Sequence, residues 1–314
     1  MTQELQQPRP VGVVERAALG RFAWLSIAAA LTTMALKVVA YLTTGSVGLL
    51  SDAAESSVNL VAAIVTLVAL RIAATPPDAE HPFGHERAEY ISSGIEALLI
   101  VAAALAIVAT AVQRLLSPVP LGSLGVGMIA CGAATLVNFV VARVLFRAAR
   151  QHDSIALEAD AQHLMTDVWT SVAVVVGIGA VAVSGWEWLD PVIAIAVALN
   201  IVRIAWLLLA RAGSGLLGHA VSAERGAAIE AVLVRYEQES GIGWHALRTW
   251  QAGRRSVVTV HVLVPGEWTM QRGHDLCERI EHDLRGIASR TTVIIHLEPR
   301  EDERSFVDQS LDRE

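Results

Sequence analysis

The chain has 314 residues, 54% hydrophobic and only 18% charged, with a mean hydropathy of +0.49 and a formal net charge of −7. Such an apolar composition excludes an ordinary soluble domain and fits a protein that crosses a membrane several times, and the acidic balance argues against nucleic-acid binding. The two cysteines, Cys131 and Cys277, form no CxxC pair, so neither a disulfide framework nor a thiolate metal site is indicated.

Residues 1–20 carry acidic residues and two prolines ahead of the first apolar run. They read as a cytoplasmic tail rather than a cleavable signal peptide. Six segments of about 20 apolar residues or more are long enough to span a bilayer. They are residues 22–42, 47–70, 90–112, 121–145, 155–183 and 190–209, making a six-span transmembrane domain over 21–212. Tight turns are expected at 43–46, 117–120 and 184–188. Arg9, Arg16 and Arg21 precede the first span, and Arg71 and Arg87 flank the connection between the second and third. Arg143, Arg147 and Arg150 end the fourth, and Arg211 follows the sixth. This asymmetry predicts that both termini are cytoplasmic, with Arg114 the one exception. Lys37, inside the first span, either snorkels or pairs with a carboxylate.

From residue 213 the composition changes. Residues 223–239 read as an amphipathic helix. Residues 244–251 and 256–264 read as strands joined by the hairpin AGRR, followed by a helix over 270–285 and a strand over 291–298. The order αββαβ predicts a two-layer α+β domain over 213–299. The polar segment 300–314 is expected to be disordered.

Two apolar segments carry donor groups at one spacing. ADAQHLMTDVWTS places His163 and Asp167 four apart, on one helix face. LLSDAAESSVNLV does the same with Glu55 and Asn59, with Asp52 one turn earlier. Ionisable groups inside a membrane mark ion paths or relays, and His with Asp is half of a transition-metal site. Facing each other, the two segments can form a four-ligand site; otherwise each pair ties helices together.

Histidines gather outside the spans. Asp78, His81 and His85 can close on one divalent ion if Gly84 turns the loop sharply; alternatively the histidines are solvated around a Pro82–Gly84 turn. His245, His261 and His296 fall on the three strands and His274 at a helix start. Glu298 follows His296 by two, on the same strand face. If the strands pair, the histidines meet there, and a carboxylate in step favours metal binding over three ordinary surface histidines. His152, His219 and His282 have no such company and read as surface residues.

Taken as an ordered set, these segments resemble the cation diffusion facilitator family. GSVGLLSDAAESSVN is similar to its second-helix motif, HPFGHERAE to its HxxGHxKxE-type loop, and ADAQHLMTDVWTS to its fifth-helix HxxxD motif. WHALRTW, VTVHVLV and TVIIHLEP resemble its cytoplasmic domain. The resemblance covers the first span to Pro299. It implies a homodimeric, proton-coupled exporter of divalent transition metals, with a transport site at Glu55, Asn59, His163 and Asp167. It also implies a loop site at Asp78, His81 and His85, and regulatory sites at a dimer interface from His245, His261, His274, His296 and Glu298, in a metallochaperone-like α+β domain. The implied substrate is zinc first, with manganese, iron or cobalt also allowed. The Arg-heavy basic composition points to a GC-rich bacterial genome, and so to a bacterial inner membrane.

The chain departs from the family pattern where His or Asp, then Asp, usually stand: here Glu55 and Asn59 make the site richer in oxygen donors. Arg87 replaces the usual Lys, keeping charge but changing geometry, and Gly218 stands where the family has an Asp after the sixth helix. A membrane-bound metal sensor or scaffold would use the same ligands without transport. A membrane metallohydrolase is disfavoured because HxxxD is a poor match to HExxH. A simple channel would lack proton dependence and saturation.

Overall fold

A computed structural model describes residues 11–44, 47–117, 126–186, 188–253, 255–287 and 291–307. Contacts divide the chain into two compact units, Met1–Gly213 and Ser214–Glu314.

Among the described residues the first unit holds α1 (Val11–Thr44), α2 (Val47–Ala73), α3 (Ala88–Leu116), α4 (Val126–His152), α5 (Ile155–Ser184) and all but the last turn of α6 (Leu189–Leu216). Their interiors are uninterrupted by proline; Pro191 falls in the first turn of α6, where its missing N–H costs nothing. Among the described residues, segments of α1, α2, α3, α4 and α6 are apolar enough to cross a membrane. α5, at 30 residues, carries Glu158, Asp160, His163 and Asp167 in its first half.

Alanine fills much of the interior, which lets helices approach closely without lipid between them. One cluster joins Ala23 and Ile27 of α1, Ala63 and Leu67 of α2, Leu145 of α4 and Leu164 of α5. A second joins Ile100 and Ala104 of α3, Ala159 of α5, and Ile201, Ala205 and Leu208 of α6. α5 belongs to both, so its polar groups are held from several sides. Its start is fixed locally. Asp153 takes a left-handed φ of 48°, and Ser154 Oγ accepts from the Leu157 N–H while donating to Glu89 Oε2 at 2.6 Å.

The second unit contains α7 (Ala223–Ser240), β1 (Gly243–Ala252), β2 (Arg255–Val264), α8 (Met270–Ile287), β3 (Thr291–Pro299) and a short 3-10 turn (Glu303–Phe306). The sheet order is β1-β2-β3, antiparallel then parallel. The parallel pairing requires a crossover, which α8 supplies. Leu233 and Tyr236 of α7 and Leu276, Ile280 and Leu284 of α8 pack on Val258, Val260 and Val262 of β2. At Gly273 a Cβ would collide with the Leu297 side chain, so α8 lies directly against β3.

Several boundaries differ from the sequence expectation. α1 begins at Val11, inside the stretch read as a tail, because ERAAL is rich in good helix formers. The spans also run on past their apolar cores, as in α4 to His152 and α6 to Leu216. In the polar segment after residue 300, Asp302 caps a folded turn and Ser305 Oγ donates to the Pro299 carbonyl at 2.8 Å; residues 308–314 lie outside the described ones. So does most of the expected turn at 117–120.

Candidate cation centres

The first centre lies within the helical unit. His163 and Asp167 stand one turn apart on α5, facing Asn59 on α2. His163 Nε2 lies 2.6 Å from Asn59 Oδ1, and the Asn59 amide donates to Asp167 Oδ2. Asn59 thus links both α5 residues. A ring that donates through Nε2 carries its lone pair on Nδ1, and that atom is buried with no partner among the described residues. Asn59 and His163 are 3% and 4% exposed. Glu55 lies on α2 four residues before Asn59, hence on the same helical face. The side chains of Glu55 and Asp52 lie outside the described residues.

A further residue joins this centre from α4. Asn138 Nδ2 donates to Asp167 Oδ2 at 3.0 Å, so two amides converge on one carboxylate oxygen. Asn138 is buried and its Oδ1 has no partner among the described residues, leaving a carbonyl oxygen that could face a cation. Sequence reasoning missed it because a single Asn in an apolar span has no partner at helical spacing. Lys37 is buried in α1.

The second centre is the loop between α2 and α3. Asp78 Oδ1 accepts backbone N–H groups of His81 at 2.7 Å and Glu80 at 3.0 Å. His81 Nδ1 lies 3.4 Å from Asp78 Oδ1 and His85 Nε2 lies 3.3 Å from Asp78 Oδ2. The two rings sit 4.3 Å apart. Gly84 makes this possible with a φ of 87°, a conformation side chains resist. The hydrogen bond from the His81 backbone, followed by the nearby His85 and His81 rings, holds the Asp78 carboxyl below its usual range. One atom from each of the three residues falls within 4.8 Å of the others, close enough to share an ion.

The third centre crosses the sheet. Register places His245 opposite His261 and His261 beside His296, one histidine per strand. Glu298, two residues after His296, projects to the same face. Its Oε2 lies 3.0 Å from His245 Nε2, and its Oε1 lies 3.2 Å from Nδ1 of both His261 and His296. His245, His261 and Glu298 bring ligand atoms within 4.8 Å of one another, while His296 is mostly exposed at the rim. A register shift after His245, with Ala246 at a φ of 49°, aims the His245 ring. The Phe306 ring from the 3-10 turn stacks over His245 at 6.1 Å, which nothing in the sequence pattern announced.

His274 is not brought into this cluster. It sits on α8, 61% exposed, with Glu278 Oε1 4.0 Å away. His152 lies beside Phe22, His219 bonds the adjacent Ala220 carbonyl, and His282 is exposed. Gly218 has a φ of 86°, a backbone shape that favours glycine over the family's Asp.

Comparison with known proteins agrees over most of the chain. Residues 23–217 match the cation efflux transmembrane domain, and residues 221–300 match the cytoplasmic domain of cation efflux proteins. An uncharacterized transporter of Synechocystis is 52% identical over 91% of this chain and 92% of its own length. The cation-efflux pump FieF of Shewanella oneidensis is 27% identical, covering 87% of this chain and 92% of the pump. FieF of Escherichia coli K12 is likewise 27% identical, over 94% of this chain and 97% of the pump. The chain therefore belongs to the cation efflux family, the cation diffusion facilitators, and is an integral membrane transporter of divalent metal cations.

Proposed function

We propose that the protein is a proton-coupled exporter of divalent transition-metal cations that works by alternating access, as a homodimer, in a bacterial inner membrane with both termini cytoplasmic. The observation that carries this reading is the buried linkage of Asn59 on α2 to His163 and Asp167 on α5. A sensor or scaffold needs only clusters outside the spans; a ligand set buried between spans is what a carrier needs.

The transported cation is held by His163, Asp167, Glu55 and the Asn59 carbonyl oxygen, with Asn138 oxygen as a further donor. One imidazole among oxygens suits zinc first and also accepts manganese, iron or cobalt. Cation binding requires neutral imidazole and ionised carboxylates, so it expels protons; reloading the site with protons returns the carrier. To bind, the cation must also displace the hydrogen bonds by which Asn59 holds the two α5 residues. Binding is thereby linked to a change in how α2 and α5 are fastened.

The loop centre at Asp78, His81 and His85, and the sheet centre at His245, His261, His296 and Glu298, are proposed as regulatory metal sites. The exposed His274 is available to a second copy of the domain. Metal there changes transport only if it binds one conformation better than another. The test is cation flux into proteoliposomes for Zn, Mn, Fe, Co, Ni and Cd, with and without an imposed pH gradient. Saturable flux that follows the gradient supports the exchanger. Flux indifferent to the gradient leaves a uniporter or channel, and no flux with retained metal binding leaves a sensor.

A further inference from the structure

A second pair of ionisable groups lies inside the helical unit, apart from the three cation centres. Glu96 on α3 and Asp160 on α5 are 0% and 1% exposed. Among the described residues, each carboxylate has hydrogen-bond donors on one oxygen only. Glu96 Oε1 accepts from Thr66 of α2 at 2.5 Å and from Ser92 at 3.2 Å, and Asp160 Oδ1 accepts from Ser26 of α1 at 2.9 Å. The second oxygens, Glu96 Oε2 and Asp160 Oδ2, are buried with no partner among the described residues. Ala97, next to Glu96, and Ala159, next to Asp160, belong to one buried cluster where α3 packs on α5.

No cationic side chain among the described residues offsets this pair. α1 contributes Ser26 and α2 contributes Thr66, both neutral hydroxyls. α6 presents Ile201, Ala205 and Leu208 to this region, and its Arg211 is engaged by Glu158 at 2.6 Å. Lys37 lies eleven residues beyond Ser26 on α1, roughly 16 Å along the helix. On α5 itself, His163 turns its Nε2 to Asn59; on α3, Glu89 accepts from Ser154.

Two carboxylates buried together do not both stay ionised without a positive partner. The donor set selects which partner. A divalent ion wants at least four ligands, whereas here two carboxylates stand alone and the hydroxyl hydrogens already point at them. A proton needs only a bare carboxylate oxygen, and there are two. We propose that Glu96 and Asp160 form a proton-binding site between α3 and α5, separate from the cation site and one helical turn from His163. The site holds at least one proton at neutral pH on Glu96 Oε2 or Asp160 Oδ2, whichever cation is carried.

The test is infrared spectroscopy of the full-length protein in lipid nanodiscs at pH 7, reading the carbonyl stretch of protonated carboxylic acid. Wild type, Glu96→Gln, Asp160→Asn and His163→Ala are compared. The proposal predicts the band in wild type, its retention in His163→Ala, and its loss or shift in Glu96→Gln and in Asp160→Asn. Because both residues serve one site, either variant decides if the other fails to fold. Absence of the band from wild type, or an unaltered band in the folded variants, overturns the proposal. Zinc and manganese titration of the same samples gives a second readout. Loss of one bound metal equivalent in Glu96→Gln but not in His163→Ala makes the pair a metal site and also overturns it. Neither readout depends on transport, so failure here is distinguishable from failure of the exchanger reading.

Discussion

Asn59 Oδ1 stands 2.6 Å from His163 Nε2, across helices whose residues are 104 apart in sequence. The other end of the same amide donates to Asp167. A neutral amide is a weak cation ligand, but it can accept from an imidazole and donate to a carboxylate at once. Asn59 therefore ties His163 to Asp167 across two helices, and an ionised aspartate at this position has no hydrogen to donate to Asp167.

Asn59→Asp removes the donor to Asp167 and sets two carboxylates side by side. The added charge favours the cation-loaded state and harder cations. We expect tighter cation binding and a shift of about tenfold, roughly 1.4 kcal/mol, in manganese flux relative to zinc. Competition flux in proteoliposomes checks this, and an unchanged cation profile would mean that Asn59 does not face the cation.

Asn138→Ala deletes the second amide on Asp167 and the bare Oδ1 beside it. Loss of a group that orients a metal ligand costs about 10–100-fold in affinity. The expected outcome is an increase in KM for the cation of about tenfold, with a smaller change in maximal rate. An unaltered KM would remove Asn138 from the site.

Glu298 is the common partner of three histidines on three strands. Glu298→Gln keeps its size but removes the charge that a cation needs. We expect the full-length protein to bind metal at this centre more weakly by at least about tenfold, since even a supporting group is worth that much. Flux should persist, with a changed dependence on internal metal concentration. Equilibrium metal binding to wild type and variant measures the first effect, and retention of full affinity contradicts the assignment.

Asp283 on α8 accepts from the Tyr236 hydroxyl at 2.8 Å and pairs with Arg235, joining α8 to α7. The Tyr236 hydroxyl, then Arg235, holds the Asp283 carboxyl below its usual range. A carboxyl depressed in the folded state stabilises fully above its unfolded value, about 3.9. That contribution is lost as pH falls from there through the folded value. The pair is largely solvated, so the effect is small. Asp283→Asn should lower the neutral thermal midpoint slightly and converge with wild type below about pH 4, which flattens the acid limb. An unchanged acid limb would assign the acid sensitivity to other groups.

What could be read from the sequence follows from where the signal is periodic. His163 with Asp167, and Glu55 with Asn59, were visible because four-residue spacing puts both members on one helix face. The row of His245, His261 and His296 was visible because each falls on a short alternating strand, and pairing of those strands aligns them. Asn138 stands alone in its span, Glu96 has only Ser92 at helical spacing and Asp160 lies one turn before His163, but the partners that give them meaning, Asp167, Thr66 and Ser26, come from other helices at sequence separations that no periodicity encodes. The start of α1 at Val11 was missed because the apolar run, which marks a bilayer crossing, is shorter than the helix that contains it. The Phe306 stack on His245 depends on a turn held by Asp302 and Ser305 within a segment whose composition reads as unstructured.

The most direct test of the central claim is flux of the preferred cation into proteoliposomes carrying wild type or Asp167→Ala, with metal binding to the C-terminal domain of the same full-length proteins as a control for folding. The account predicts saturable flux in wild type and none above the lipid background in the variant, with C-terminal binding intact in both. Wild-type flux through folded Asp167→Ala would contradict it and place the transport path away from the Asn59, His163 and Asp167 centre.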